Sequence, residues 1–474
     1  MTRLRKAAPD ALAAGLIGLA IFAAFGHAFL NYDSFYALLW GDDVAHGRLP
    51  QYDVPVAPTP HPLATLVGAL LSPLGDSTED AFLALGLLAM GALCVGLFRL
   101  GQELYAWPVG VLAALILVTR EPILNFGIRG YVDLPAVALV VWAAVLEARR
   151  PRRGTAVLVL LAAAGLLRPE VWLFAAAYWL WVAPPLGRPG RLRLAALAAA
   201  APVLWMLSDL LVTGNPLWSL TGTRELAAEL ERETGLDVVE LLPRRLGEIL
   251  RLPELIAAVL GFVAGLLWLR RRTLLPAAVA VANGVSFVAF AVAGLSLLTR
   301  YVFLAAAMLA LLAALAGVGW TALERAHAAR RRWLGGGLAV IAGLIAFTPM
   351  QLERLDFLRD DLAKRDRIQA DLLDLVRSRE GGAAFDACAP IYVPNHRAVP
   401  SLAYWTGTRP AEIVSAQLER PGSEGLYLDP ANAEVERLGV LDPKDPKRLD
   451  AEVPTGYRLV ARNRSWNLYS GCDP

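Results

Sequence analysis

Charge is scarce in this sequence: 19% of its 474 residues are Asp, Glu, Lys or Arg, while 56% are hydrophobic and mean hydropathy is +0.48. Soluble domains are nearer half apolar and a quarter charged, so a wholly soluble chain is disfavoured at once. Net charge is only +2, which leaves no basic excess for bulk nucleic-acid binding. Three cysteines are too few for a disulfide scaffold, and Cys94, inside an apolar run, reads as inert packing. A cleavable signal is also missing. The first apolar run follows Met-Thr-Arg-Leu-Arg-Lys, ends in Gly-His-Ala-Phe-Leu-Asn-Tyr-Asp and is followed by many more, so it reads as a retained helix. No internal repeat stands out, which removes the inverted-repeat logic of many transporters.

What the sequence has in quantity is apolar runs. A hydrocarbon core of ~30 Å needs ~20 apolar residues as helix. Runs near that length predict eleven spans at roughly 10–29, 80–100, 107–124, 132–147, 154–168, 170–184, 192–213, 253–269, 273–293, 299–320 and 333–350. Arg168-Pro169-Glu170 splits 154–184 into two short helices, because proline removes a backbone donor. Every other loop is rich in arginine: Arg3, Arg5 and Lys6, then Arg99, then the clusters beginning at Arg149, Arg188, Arg270 and Arg325. Cations mark the cytoplasmic side, so the N-terminus is expected inside and the C-terminal part outside, in the inner (plasma) membrane of a bacterium. Two outer loops are long. The first, about 30–80, contains a surface helix over 34–46 and an apolar stretch over 62–74 too short to span. The second, about 215–252, is charged and helical in pattern over 224–250.

Ionisable residues near membrane depth are functional candidates by default. Asp33 follows the first span directly, where a carboxylate could accept a proton from an acceptor hydroxyl. The plainer alternative is that it caps the next helix. Asp133, opening the fourth span in Arg129-Gly130-Tyr131-Val132-Asp133, also fits a cap; Arg129 could pair with it or hold phosphate bidentately. Arg168 and Glu170 lie at the junction of spans five and six, and Arg300 starts span ten. Each alone fits a capping or snorkelling role, yet together they put carboxylates and arginines on one face. Asp42, Asp43 and His46, with His61, are the candidates for a divalent metal, though without tight ligand spacing. Gly335-Gly336-Gly337 lacks the lysine and strand of a phosphate loop, and Asn463-Arg464-Ser465 matches a glycosylation sequon that arises often by chance.

Several of these stretches form a pattern. Tyr32-Asp33-Ser34-Phe35-Tyr36, Gly47-Arg48-Leu49-Pro50-Gln51-Tyr52, Pro60-His61-Pro62-Leu63, Arg129 to Asp133, and Arg168-Pro169-Glu170 resemble the GT-C-type membrane glycosyltransferases, of the protein-mannosyltransferase and aminoarabinose-transferase-like kind, which use polyprenyl-phosphate sugars. The resemblance covers residues 1–350 in layout and a few dozen in motif. It departs where the family often has a second acidic residue and this chain has Ser34. The resemblance implies a membrane all-α bundle and an inverting transferase with an outward-facing site. Asp33 would be the base and Asp133 an assistant, with Arg129, Arg168 and Arg300 holding the donor phosphate; Tyr36, His61 and Glu170 are further site candidates. The partners implied are a polyprenyl-phosphate sugar, a glycan, lipid or protein acceptor, and membrane lipid, with no nucleic acid. A transporter or flippase of lipid-linked sugars, or a non-catalytic scaffold, are the alternatives.

From residue 351 the composition turns polar. Residues 352–379 carry helical spacing of Leu355, Leu358, Leu362, Ile368, Leu372 and Val376. Strand-like patches lie at 383–393, 425–428 and 457–468, and helical ones at 401–406 and 411–418. A small α/β domain over 351–474 is expected, binding acceptor, covering the cavity or serving as a structural cap. If the patches preceding Cys388 and Cys472 are neighbours, a disulfide would tie the chain end to this domain.

Overall fold

The computed structural model describes residues 2–229, 238–440 and 452–472. Each of the eleven apolar runs is helical: α1 (Thr2–Phe25), then, after α2 (Tyr32–Ala45) and α3 (Pro62–Leu71), α4 (Thr78–Leu104), α5 (Trp107–Val118), α6 (Glu121–Ile128), α7 (Asp133–Arg149), α8 (Thr155–Gly165), α9 (Val171–Val182), α10 (Arg188–Thr213), α11 (Trp218–Glu229), α12 (Val238–Trp268), α13 (Arg270–Val292), α14 (Phe303–Val318) and α15 (Ala329–Ala346). Among the described residues seven helices are long and apolar enough to cross a membrane, or eight if the pair α5 and α6, bent by 71°, counts as one. The expected split at Arg168-Pro169-Glu170 is present: α8 and α9 are short apolar helices on either side of it. The Gly335 run lies inside α15.

The bundle is built around α14, which is almost wholly buried, while α1 and α10 are mostly exposed on its outside. The reason is side-chain size. Its Ala-rich face lets neighbours approach closely, as small residues do in membrane bundles; a Cβ on Gly261 of α12 would lie 1.8 Å from the Leu312 carbonyl of α14. At Arg251 (φ 64) α12 kinks, two residues before Pro253, whose ring blocks a continuous helix. The kink separates a charged segment from the apolar span expected to start at 253. The predicted helix over 224–250 is helical on both sides of residues 230–237, which lie outside the described residues, as do the side chains of Arg3, Arg5 and Lys6.

The helix expected at the surface over 34–46 is instead buried along one side: Ser34 to Leu38, Trp40 and Gly41 are all covered. On one flank α3 crosses it through Gly41 and Gly68, where a Cβ on either would strike backbone at 2.5 Å or less. On the other flank the C-terminal domain covers it, with the rings of Tyr404 and Trp405 at 5.9 and 5.4 Å from Phe35. That domain begins with α16 (Thr348–Arg377) and continues through α17 (Arg379–Ala387) and α18 (Val399–Thr406) onto a five-stranded sheet. The strands are β1 (Ile391–Val393), β2 (Ile413–Ser415), β3 (Leu426–Pro430), β4 (Arg458–Arg462) and β5 (Trp466–Ser470), in the order β2-β1-β3-β5-β4. β1 runs parallel to β2 and β3, while β5 is antiparallel to β3 and β4.

Two local expectations are corrected. Residues 383–387 are helix, because Ser378 caps α17 through the Gly381 N–H. Residues 413–415 are strand rather than helix, since the alternating apolar Ile413 and Val414 pair along β1. The bridge Cys388–Cys472 is formed, with Cα atoms 6.1 Å apart; Cys388 follows a helix, and Ser470 at the end of β5 brings Cys472 to it. Asn463 of the sequon is a turn residue, accepting from the Ser465 and Trp466 N–H groups at 3.1 and 2.9 Å.

Candidate active site

At the start of α2 the cap is Asn31, not Asp33. The Asn31 side chain accepts from the N–H groups of Asp33 and Ser34 at 2.8 and 3.2 Å, and its Nδ2 donates to the Arg129 carbonyl at 2.7 Å. Ser34, standing where a second acid was a possibility, donates to the Gly130 carbonyl at 2.8 Å. The helix start is thus pinned to the turn at Arg129 and Gly130. The Asp33 carboxylate is left out of the capping and accepts from Arg300 Nη1 at 2.9 Å.

Arg300 sits on a single 3-10 turn, Thr299–Val302, that feeds α14. Its Nη1 also faces Asp133, 3.9 Å from Oδ2. Asp133 is 2% exposed and begins α7 without capping it through its side chain. Its other oxygen pairs with Arg168 Nη1 at 3.2 Å, and Arg168 Nε donates to Glu170 at 2.9 Å. A chain of alternating charge therefore runs Asp33, Arg300, Asp133, Arg168, Glu170, drawn from four separate parts of the sequence. Burial of unpaired charge would be prohibitive, so each member depends on its neighbours. The Arg129–Asp133 pairing allowed by sequence spacing does not occur: Asp133 turns to Arg168 and Arg300, and Arg129 lies over the rings of Phe29 and Tyr131 at 5.4 and 5.5 Å.

Asp33, Arg129 and Arg300 line a cavity of 810 Å³ between the helical bundle and the C-terminal domain, which supplies His396, Arg397 and Trp466 to its lining. The Nε atoms of Arg129 and Arg300 are buried there without a hydrogen-bond partner. Unused guanidinium donors beside a polar cavity suit an anion. Asp33 and Arg300 also line a smaller cavity, with His61 and Arg168. Burial, with the Arg168 guanidinium nearby, pushes the His61 imidazole down to about 3, so it is neutral at physiological pH.

Other candidates lie apart from these charges. Tyr36 is fully buried against Tyr32 and Trp40; burial pushes its phenol up. Asp42, Asp43 and His46 are at the opposite end of α2, beside a different cavity of 780 Å³ that holds Asp42 and Asp43. Arg48 bridges the two carboxylates at 2.8 Å each, and Ser72 donates to Asp42 at 2.6 Å. The structure does not gather the metal candidates: among the described residues no group of three or more His, Cys, Asp or Glu is arranged around a common point.

Sequence reasoning missed several residues at the site. Tyr131 and Tyr301 supply faces for the arginines: Arg168 stacks on Tyr301 at 4.4 Å and Arg300 on Tyr131 at 5.5 Å. Both adjoin residues singled out in the sequence, and an aromatic next to a membrane-depth arginine was the available signal. His396, its ring 5.4 Å from that of Tyr32, gave none, being 363 positions beyond Asp33.

No protein-family model matches the sequence, and neither does any curated protein sequence. Solved structures do. The chain superposes on ArnT from Cupriavidus metallidurans bound to undecaprenyl phosphate with TM-score 0.54 and 13% identity, over 99% of this chain and 98% of that one. The apo state of the same protein gives TM-score 0.52 and 14% identity over 98% of both chains. The chain accordingly has the GT-C-type fold over its whole length.

Proposed function

We propose that this chain is a membrane glycosyltransferase that moves a sugar from a polyprenyl-phosphate donor to an acceptor on the outer face of the bacterial cell membrane. The observation that carries the reading is the pairing of Asp33 and Asp133 on one guanidinium, Arg300, beside two buried Nε donors that have no partner. A transferase of this kind needs a carboxylate to take the acceptor proton and cations to take the leaving phosphate. The site holds the two side by side. The fold shared with ArnT, solved with undecaprenyl phosphate bound, supports a lipid-phosphate donor.

In this reading Arg129 and Arg300 bind the donor phosphate. As Arg300 turns to the phosphate it gives up part of its hold on Asp33, whose carboxylate then accepts the proton of the acceptor hydroxyl. The acceptor oxygen bonds to the anomeric carbon as the bond to phosphate breaks on the opposite face, which inverts the configuration. Polyprenyl phosphate leaves with the electron pair. Asp133, backed by Arg168 and Glu170, keeps one hold on Arg300 as it turns, and the oxocarbenium-like charge lies near the Asp33 carboxylate. The Cys388–Cys472 disulfide supports an oxidising compartment for the C-terminal domain; with an odd number of spans, as the eleven apolar runs give, the N-terminus is then cytoplasmic.

The test is purified protein in proteoliposomes with a panel of radiolabelled polyprenyl-phosphate monosaccharides and envelope extract as acceptor. Label is expected in the acceptor with one or few of the panel and with no nucleotide sugar. Label that crosses the bilayer while still on its lipid would make the chain a flippase instead.

A further inference from the structure

The small cavity beside Asp33 has a composition unlike that of the large one. It has 80 Å³ of room for water centres and is lined by Asp33, Thr59, His61, Arg168, Thr223 and Arg300 among others. A water needs ~10–15 Å³ by this measure, so the space holds roughly five to eight waters. That is the size of one sugar ring and not of two. Its roof is the contact between the proline-rich loop after α2 and α11, where the Thr59 and Thr223 hydroxyls meet at 2.6 Å. Thr223 donates its one proton to the Ser219 carbonyl, so Thr59 donates to Thr223 and keeps acceptor capacity of its own.

His61 is the second observation. It is 8% exposed, held edge-on against Trp205, and its Nδ1 has no hydrogen-bond partner. A buried imidazole nitrogen without a partner is an uncommon and costly feature, and the residue that carries it lines a polar cavity of monosaccharide size. The phosphate does not compete for the place. Arg129 and Arg300, the cations with unused Nε donors, meet along the large cavity; in the small one Arg300 is joined instead by Arg168, which Asp133 and Glu170 already hold.

We infer that this small cavity is the monosaccharide subsite: it takes the sugar ring of the donor, with His61 and Thr59 bonding its hydroxyl groups and so selecting which sugar is transferred. The inference rests on the transferase reading and adds to it where the sugar lies and which side chains choose it.

The experiment uses the full chain in lipid nanodiscs and two probes, undecaprenyl phosphate and undecaprenyl phosphate carrying the monosaccharide that the wild type transfers. The variants are His61→Leu and Thr59→Val. Each is expected to bind undecaprenyl phosphate within twofold of wild type and the sugar-linked lipid about tenfold more weakly, the effect of one lost hydrogen bond. His61→Leu also loses the ring's hydrogen bond with the Leu167 backbone and is expected to unfold at a somewhat lower temperature; a purely structural histidine would show that drop without a selective loss of the sugar-linked lipid. Equal losses for both lipids, or none for either, would overturn the subsite while leaving the transferase standing. Wild-type protein that binds neither lipid would take both down. Should His61→Leu not fold, the same ratio measured on Thr59→Val decides.

Discussion

The helix that carries Asp33 has an acid–arginine network at each end, and distance does not tell the two apart. At its start Arg300 meets Asp33 at 2.9 Å; at its end Arg48 meets Asp42 and Asp43 at 2.8 Å. Surroundings do tell them apart. The side chains of Arg300 and Asp33 are each 15% exposed, and Arg168 and Asp133 behind them 6% and 2%, whereas Arg48 is half exposed. An exposed pair is screened by water and salt and pays side-chain entropy to hold its geometry. A buried pair has given up hydration and depends on its partner. The buried network is also the one whose cavity-lining arginine, Arg300, has a donor without a partner. Burial and incomplete satisfaction together, rather than the presence of acids and arginines, separate a candidate catalytic group from a solvated face.

The sharpest way to break this contrast is at Asp33. Asp33→Asn is expected to lower transfer by ~10²–10⁴-fold, the usual cost of losing a general base, without loss of fold, because Asn31 does the capping. Initial rates alongside a thermal melt decide it, and near-normal turnover would reduce Asp33 to a salt-bridge partner. Next comes Arg300→Ala. It strands Asp33 and part of Asp133, and removing one partner of a buried pair costs ~3–5 kcal/mol, read by denaturant unfolding in detergent. Adding Asp33→Asn to Arg300→Ala should recover part of that loss, since it removes one orphaned charge; a double variant less stable than Arg300→Ala would mean the pair is not what holds the site. Asp133→Asn should cost less, ~1–3 kcal/mol, because Arg168 retains Glu170 at 2.9 Å.

The sequence and the structure agree most where the physics is local. Each apolar run is helical, and Arg168-Pro169-Glu170 marks the break between α8 and α9, but the run at 107–124 is broken into α5 and α6, which its length alone does not show. Capping is legible only as a choice: Asn31 and Asp33 are both favoured caps two residues apart, and the bond from Asn31 to the Arg129 carbonyl, 98 residues on, favours Asn31. Arg129 and Asp133 are close enough in sequence to pair, yet the chain turns at Gly130 (φ 69) and directs them apart. Arg300 was legible as a membrane-depth cation, but its contact with Asp33 spans 267 residues, and no spacing rule reaches that far. The strand at 413–415 was read as helix because three residues show too little period to tell the two; pairing with β1 decides it.

The smallest expected effect completes the comparison. Arg48→Ala removes both exposed ion pairs at the far end of α2. Asp42 keeps the Ser72 hydroxyl at 2.6 Å and the His46 ring at 3.3 Å, and both carboxylates keep access to water, so neither is stranded. Transfer and melting temperature should match wild type, and any small difference in stability at low ionic strength should vanish at ~1 M salt, where the screening length falls to about 3 Å. Arg300→Ala should keep its deficit under the same conditions, because salt does not penetrate a buried pair to the same extent. Parallel melts of the two variants at low and high salt make the measurement. If Arg48→Ala instead lost tenfold or more in transfer with its fold intact, the 780 Å³ cavity that Arg48 lines would belong to the reaction, and burial would no longer separate the two networks by role.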